Sequence, residues 1–160
     1  MRPVVGLFLC LAAASGAHAD EAAQCRANAG IYLTGRVTEP PRFAPGHLRD
    51  GVELSHTHLT LLSDQDGQSY DVAIDNVFAS GYDAAGASVP APLSTIGAGA
   101  RLELCGKPYA HGGSGIDWVH TNCSEPASPA RPDGWVKVLA PDGTAGPNLE
   151  ASQEYCRLWP

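Results

Sequence analysis

Residues 51–63 read GVELSHTHLTLLS, and this stretch decides the fold class. Val52, Leu54, His56, His58, Thr60 and Leu62 fall at every second position and share one face. Glu53, Ser55, Thr57, Leu59 and Leu61 share the other. A period of two is that of a β-strand, whose side chains alternate across the sheet. Asp64-Gln65-Asp66-Gly67 follows, and Asp-Gly is a strong hairpin signal. Residues 68–77, QSYDVAIDNV, then alternate again, with Tyr70, Val72 and Ile74 opposed to Asp71, Ala73 and Asp75. The two segments are expected to pair antiparallel.

Working outward, residues 31–37 (IYLTGRV) have the β-branched and aromatic content of a first strand. Residues 39–50 (EPPRFAPGHLRD) contain three prolines and a glycine and are expected to form a loop. Residues 78–99 are rich in Gly, Ala and Pro, which predicts a long loop with one helical turn near Leu93 to Ile96. ARLELCGK (100–107) reads as a strand and YAHGGSG (109–115) as a hairpin tip. In GIDWVHTNC (115–123), Ile116, Trp118, His120 and Asn122 alternate with Asp117, Val119, Thr121 and Cys123, the pattern of a further strand. A Pro-Asp-Gly turn capped by Trp135 leads to a short strand at Val136 to Leu139, and an irregular tail from about 141 returns Cys156. No internal repeat and no sustained helical period appear. The expected fold is all-β, a small OB-like Greek-key barrel of five to six strands with long loops. A β-sandwich is the alternative. An OB barrel ordinarily carries a helix between its third and fourth strands, and the segment here is a poor helix former.

The N-terminus has the form of a secretory signal peptide at residues 1–19. Arg2 supplies the positive end, Val4 to Ala14 the apolar run, and Ala17-His18-Ala19 an A-x-A cleavage site. The run is too short to span a bilayer. Cleavage before Asp20 leaves 141 of the 160 residues, 20–160, as one domain with a periplasmic or secreted location. Loss of Arg2 takes the formal net charge from −7 to −8, and there is no basic run. That argues against a nucleic-acid partner, whose phosphates need neutralising, and against docking on anionic lipid. The expected partner is a small ligand or a protein, and the expected state a monomer. Cys10 leaves with the signal peptide. Cys25, Cys105, Cys123 and Cys156 remain, an even count that reads as two disulfides in an exported chain. The expected pairs are Cys105–Cys123, across a short glycine tip, and Cys25–Cys156, tying the ends. A four-cysteine zinc site would need a CxxC pair, which is absent.

His56 and His58 lie at i and i+2 of a strand and project from one face, as do His120 and Asn122 on another. Such pairs can share a metal ion, and zinc or copper would suit imidazole ligands, with His56, His58 and His120 as the ligand candidates. The plain reading is of polar residues on a partly wet sheet face. Trp118 and Trp135 are candidates for a stacking platform; the plain reading places Trp118 in the core and Trp135 as a plug at a barrel end. There is no Gly-x-Ser-x-Gly, and the cysteines are taken by disulfides, so nucleophilic catalysis has no carrier.

His56, the Ile74-Asp75-Asn76 run, LELCG, GIDWVH and the PDGW at 132–135 together resemble the DUF3465 family, small exported bacterial proteins of unknown function. The resemblance covers roughly residues 35–137. It implies a role for His56, Trp118, His120, Asp133 and Trp135 by position. Two departures stand out: Asn122 occupies a place where the family pattern has an acid, and Ser124 to Arg131 lengthens the link to PDGW. The function expected is that of an exported binding module with a pocket lined by His56, His58, Trp118 and His120, with Asn122, Asp133 and Trp135 as further binding candidates. The alternative is a metal-dependent hydrolase on the same histidines, in which the ion activates water. A third possibility is an inert structural or inhibitory domain.

Overall fold

The protein was described from a computed structural model covering residues 14–110, 112–123 and 126–159. Residues 1–13 of the signal peptide expected at 1–19 therefore lie outside the described residues. Helix α1 (Ala14–Ala27) leads into β1 (Ile31–Arg49), β2 (Val52–Ser63) and β3 (Ser69–Asp75). A 3₁₀ turn (Asn76–Phe78) and two single-turn helices, α2 (Tyr82–Ala85) and α3 (Ala91–Ser94), carry the chain to β4 (Arg101–Tyr109). Strand β5 (Gly115–Asp117), β6 (Trp135–Leu139) and a 3₁₀ turn at Cys156–Leu158 complete it.

All six strands belong to one sheet, so the two-sheet alternative is not the arrangement. β1 pairs with β2, β2 with β3, β3 in parallel with β5, β5 with β4, and β4 back with β1, which makes a ring of five strands with β6 added on β4. The fold is all-β, as the alternation at 51–77 requires, with the long connection between third and fourth strands in its expected place. The 64–67 turn forms where Asp-Gly places it, with Gly67 at φ 68°.

Two expectations about strand extent are corrected. Residues 39–50 are not a free loop, because β1 continues to Arg49. Register shifts between Val37 and Glu39, Glu39 and Arg42, and Ala44 and His47 absorb the prolines. β4 and the residues just before it pair with residues 31–37 of β1, and beyond that point one edge of β1 has no ladder partner among the described residues, so a missing proline N–H breaks no ladder there. The strand expected over 115–123 stops at Asp117, since Trp118 takes a left-handed φ of 54°. Side-chain parity is lost at that residue. Ile116 and Val119 both enter the main core, although strict alternation had set them on opposite faces.

The core fills the ring with Leu59, Leu61, Val72, Ile74, Leu102, Leu104, Ile116 and Val136. It is therefore the odd-numbered face of β2 that turns inward. His56, His58 and Thr60 lie on the outer face, together with Val52 and Leu54. Gly106 is needed where β4 meets the chain leaving β5: a Cβ there would stand 2.5 Å from the Asp117 carbonyl oxygen and 2.6 Å from Val119.

The cysteines form two disulfides, in a different pairing from that expected. Cys25 joins Cys105 and Cys123 joins Cys156. The reason is the register of β4 and β5: with Lys107 opposite Asp117 and Tyr109 opposite Gly115, even a continued strand would set Cys105 opposite Val119 and Cys123 opposite Arg101, so the two cysteines are not cross-strand neighbours. The Cys25–Cys105 bridge instead pins α1 to β4 beside Trp135, and Cys123–Cys156 holds the tail against a second small core of Leu54, Val77, Phe78 and Leu158. Among the described residues no helix is long and apolar enough to cross a membrane.

Candidate functional site

A cleft of about 710 Å³ opens on the outer face of β2 and β3, bounded by β5, the end of β1 and the C-terminal tail. The register dictates what it contains. Thr57 opposite Ile74 and Leu59 opposite Val72 point inward, so His56 opposite Asp75 and His58 opposite Ala73 point out. Among the described residues no helix lines the cleft.

Each strand histidine is held by a carboxylate from β3. His56 Nε2 lies 2.9 Å from Asp75 Oδ1. His58 Nδ1 lies 3.0 and 2.9 Å from the two oxygens of Asp71. Asp71 also accepts the Tyr109 hydroxyl, whose own proton burial and this carboxylate hold on more tightly than usual. The pair to Asp75 raises the pKa of His56 above the ordinary imidazole value, with burial opposing it. Asp75 is aimed outward because its neighbour is fixed inward: Asn76 accepts from Thr57 Oγ1 at 2.6 Å and donates to Ser55 Oγ at 3.0 Å, all three buried.

Asp75 faces two histidines. Its second oxygen, Oδ2, stands 3.5 Å from Nε2 of His120, which is only 1 % exposed. His120 stacks flat on Phe78 at 3.6 Å and lies 4.8 Å from the Trp118 ring. Its Nδ1 is 2.9 Å from the Thr121 carbonyl oxygen, an acceptor only, so that nitrogen carries the hydrogen. Burial lowers the pKa of His120, chiefly by desolvating the charged form. Sequence reasoning placed His56 and His120 together; the residue that joins them, Asp75, it did not single out. The signal was available, because Asp71 and Asp75 share the face of their strand that pairs with the His-x-His face.

Trp118, Trp159, Lys107, Arg49 and Asp117 line the rest of the cleft. Arg49 lies 5.6 Å over the Trp159 ring. A bulky residue at positive φ is strained, and such strain persists where surroundings impose it, commonly at binding sites. The Trp118 indole N–H is buried and has no hydrogen-bond partner among the described residues. One oxygen of Asp117 is in the same condition, and burial raises the pKa of that carboxyl, with Lys107 opposing. Glu150 of the tail is wholly buried with both carboxyl oxygens unpartnered among the described residues, and desolvation, then Asp75, raises its pKa well above normal.

Three expected site residues stand apart from this cleft. Asp133 Oδ1 accepts the Asn122 backbone N–H at 2.9 Å, and its carbonyl oxygen accepts Asn28 Nδ2 at 3.2 Å, which ties the 122–134 loop to α1. Trp135 is 5 % exposed beside the Cys25–Cys105 bridge. Among the described residues no three His, Cys, Asp or Glu side chains converge as a metal-ligand set. His56 and His58 turn to separate aspartates, with ring centroids 6.2 Å apart, rather than toward a common point with His120.

No protein-family model matches the chain, and no curated protein is detectably similar to it.

Proposed function

We propose that the chain is an exported binding module and that its ligand seats in the cleft over β2, β3 and β5. The observation that carries this reading is Trp118. A tryptophan held at φ 54° lines the cleft beside two aspartate-held histidines and leaves its indole N–H without a partner among the described residues. A concave site with aromatic walls and a few fixed polar groups is the common form of a small-ligand site. Strands two and three also form the usual ligand face of OB-type rings, which supports the placement by analogy only. The two disulfides are compatible with an oxidising compartment, and the N-terminal apolar run with its A-x-A site offers a route there, which supports the reading of a periplasmic or secreted location. The DUF3465 resemblance agrees with export and names no reaction.

The test is a fragment screen by NMR on the isotope-labelled protein. Binding fragments are expected to move the Trp118 indole N–H and the amides of His56, His58 and Asp75 together, and Trp118→Ala is expected to weaken them about tenfold, the worth of one aromatic contact. Fragments that bind and move residues elsewhere, with Trp118 unaffected, would remove the reading. The metal-dependent alternative is separated by titrating zinc or copper in the same experiment and watching both histidine rings.

A further inference from the structure

The two disulfides differ in what covers them. Cys25 and Cys105 are both wholly buried, and the chain passes so close that a Cβ at Gly30 would stand 2.5 Å from Cys105 Sγ and 3.0 Å from Cys25 Sγ. Cys123 and Cys156 are both half-buried, packed against the small core of Leu54, Val77, Phe78 and Leu158. This second bridge sits next to a wall of the cleft. Cys156 opens the 3₁₀ turn Cys156–Leu158, and Trp159, which lines the cleft, follows it directly. The Trp159 ring lies 5.1 Å from that of Phe78, with the Arg49 guanidinium 5.6 Å over it.

We propose that the Cys123–Cys156 bridge is a redox-removable clamp: its reduction by a dithiol frees the C-terminal tail, and Trp159 leaves the wall of the cleft. That this wall serves a ligand rests on the reading above; the clamp itself does not. One thiol of the dithiol loses its proton, and the thiolate attacks one sulfur of the bridge. The S–S bond breaks, and the other cysteine departs as a thiolate and takes up a proton. The second thiol, deprotonated in turn, attacks the mixed disulfide, and the remaining cysteine departs and takes up the second proton. The dithiol is oxidised to a disulfide, and its two electrons and two protons reduce the bridge to two thiols. The kind of partner implied is a dithiol oxidoreductase.

Chain length sets what the clamp controls. Trp159 is three residues beyond Cys156, so with the bridge closed it can move no more than about 10 Å from it. With the bridge open, the nearest backbone bond tying the tail to the body is Ser152 N–H to the Phe78 carbonyl oxygen, at 2.9 Å. Trp159 is seven residues beyond Ser152, a reach of about 25 Å. The later backbone bonds, from Cys156 to Gln153, Leu158 to Tyr155 and Trp159 to Cys156, run within the tail and travel with it. Side chains supply the other holds: the Tyr155 hydroxyl donates to Asp83 of α2, and Leu158 is buried in the small core. An accessible bridge admits the attacking thiolate and a buried one excludes it. The dithiol therefore opens Cys123–Cys156 and spares Cys25–Cys105, which keeps α1 on β4.

The full chain, isotope-labelled, is treated with rising dithiothreitol, followed by NMR, then alkylated with iodoacetamide and mapped by mass spectrometry. Cys123 and Cys156 are expected to label at a reductant concentration at least about tenfold below that needed for Cys25 and Cys105. In the same step the Trp159 indole N–H is expected to move to a solvent-exposed position, while Trp135, beside the buried bridge, stays. The double variant Cys123→Ser, Cys156→Ser is expected to show Trp159 released from the start, with no response to dithiothreitol. Labelling of these four cysteines together, earlier labelling of Cys25 and Cys105, a Trp159 signal unmoved by reduction, or collapse of the whole spectrum as the first bridge opens would overturn the proposal. If the double variant does not fold, the reduced and alkylated parent decides: Trp159 released with Trp135 in place supports the clamp, and any other pattern overturns it. The two readings fail separately. A bridge that opens as described, in a protein whose Trp118 indole no fragment moves, supports the clamp and removes the ligand cleft; fragments that move Trp118 while reduction leaves Trp159 in place remove the clamp alone.

Discussion

Replacing Asp75 by Asn tests the electrostatic centre of the cleft. The substitution keeps the shape and removes the charge that faces His56 at 2.9 Å and His120 at 3.5 Å. The His56 and Asp75 side chains are 34 % and 20 % exposed. Fully buried charged hydrogen bonds are worth about 1.5–3 kcal/mol and exposed pairs about 0–1, so a pair exposed to this degree is discounted to about 1 kcal/mol. For a domain near this size that is roughly 3–5 °C in Tm. The sign follows from linkage. His56 has a folded pKa above its unfolded one, so the pair's contribution is fully present below the ordinary imidazole pKa and is lost as pH rises through the folded value. His120 is depressed by burial, and Asp75 opposes that depression, so losing Asp75 makes charging His120 in acid harder still. Both effects act in the same direction. Thermal melts of parent and variant are expected to differ by about 3–5 °C near pH 5.5 and by less than about 1 °C near pH 9. A gap that is constant with pH, or that widens as pH rises, would refute the reasoning.

Non-reducing peptide mapping should recover Cys25 linked to Cys105 and Cys123 linked to Cys156; Cys105 linked to Cys123 would contradict the register of β4 and β5. Replacing Cys123 and Cys156 together by Ala opens a loop closed over a separation of 33 residues and is expected to cost roughly 3–4 kcal/mol on the chain-entropy view, read as a lower denaturant midpoint. Phe78→Ala strips the ring that stacks on His120 and is expected to cost about 3–5 kcal/mol, since Phe78 is buried; a loss below about 1 kcal/mol would mean the stack is not formed. Gly106→Ala should destabilise by about 1–3 kcal/mol through its clash with the Asp117 carbonyl oxygen, measured in the same denaturant series.

The fold class was legible because β2 and β3 alternate without interruption and Asp-Gly marks the turn between them. Which face of β2 lies inside was not legible, because both faces carry apolar residues, Val52 and Leu54 on one and Leu59 and Leu61 on the other. Only the register with β3, with Val72 and Ile74 opposite the odd positions, decides it. The prolines of 39–50 mark a loop in most chains; here they sit on a strand whose outer edge has no partner to lose. At Trp118 the sequence pattern is that of a continuing strand, and nothing local announces a left-handed tryptophan, since the surroundings impose it. The same break explains why the tryptophan and histidine of GIDWVH do meet the cleft and its floor, whereas Asp133 and Trp135 go to the α1 side. His56 and His120 could be named from sequence; the aspartate between them was legible too, from its place with Asp71 on the strand face expected to pair with the His-x-His face, but only the register sets it opposite His56.

The account's central claim is that the outer face of β2, β3 and β5 is where this protein meets its ligand. The most direct test follows the Trp118 indole N–H and the His56 and His58 ring signals by NMR during titration with whatever fragment binds most tightly. The account predicts that these three move together and saturate at a single affinity. A tight fragment that leaves all three in place and shifts Asn122, Asp133 and Asn28 instead would put the functional surface on the other side of the ring.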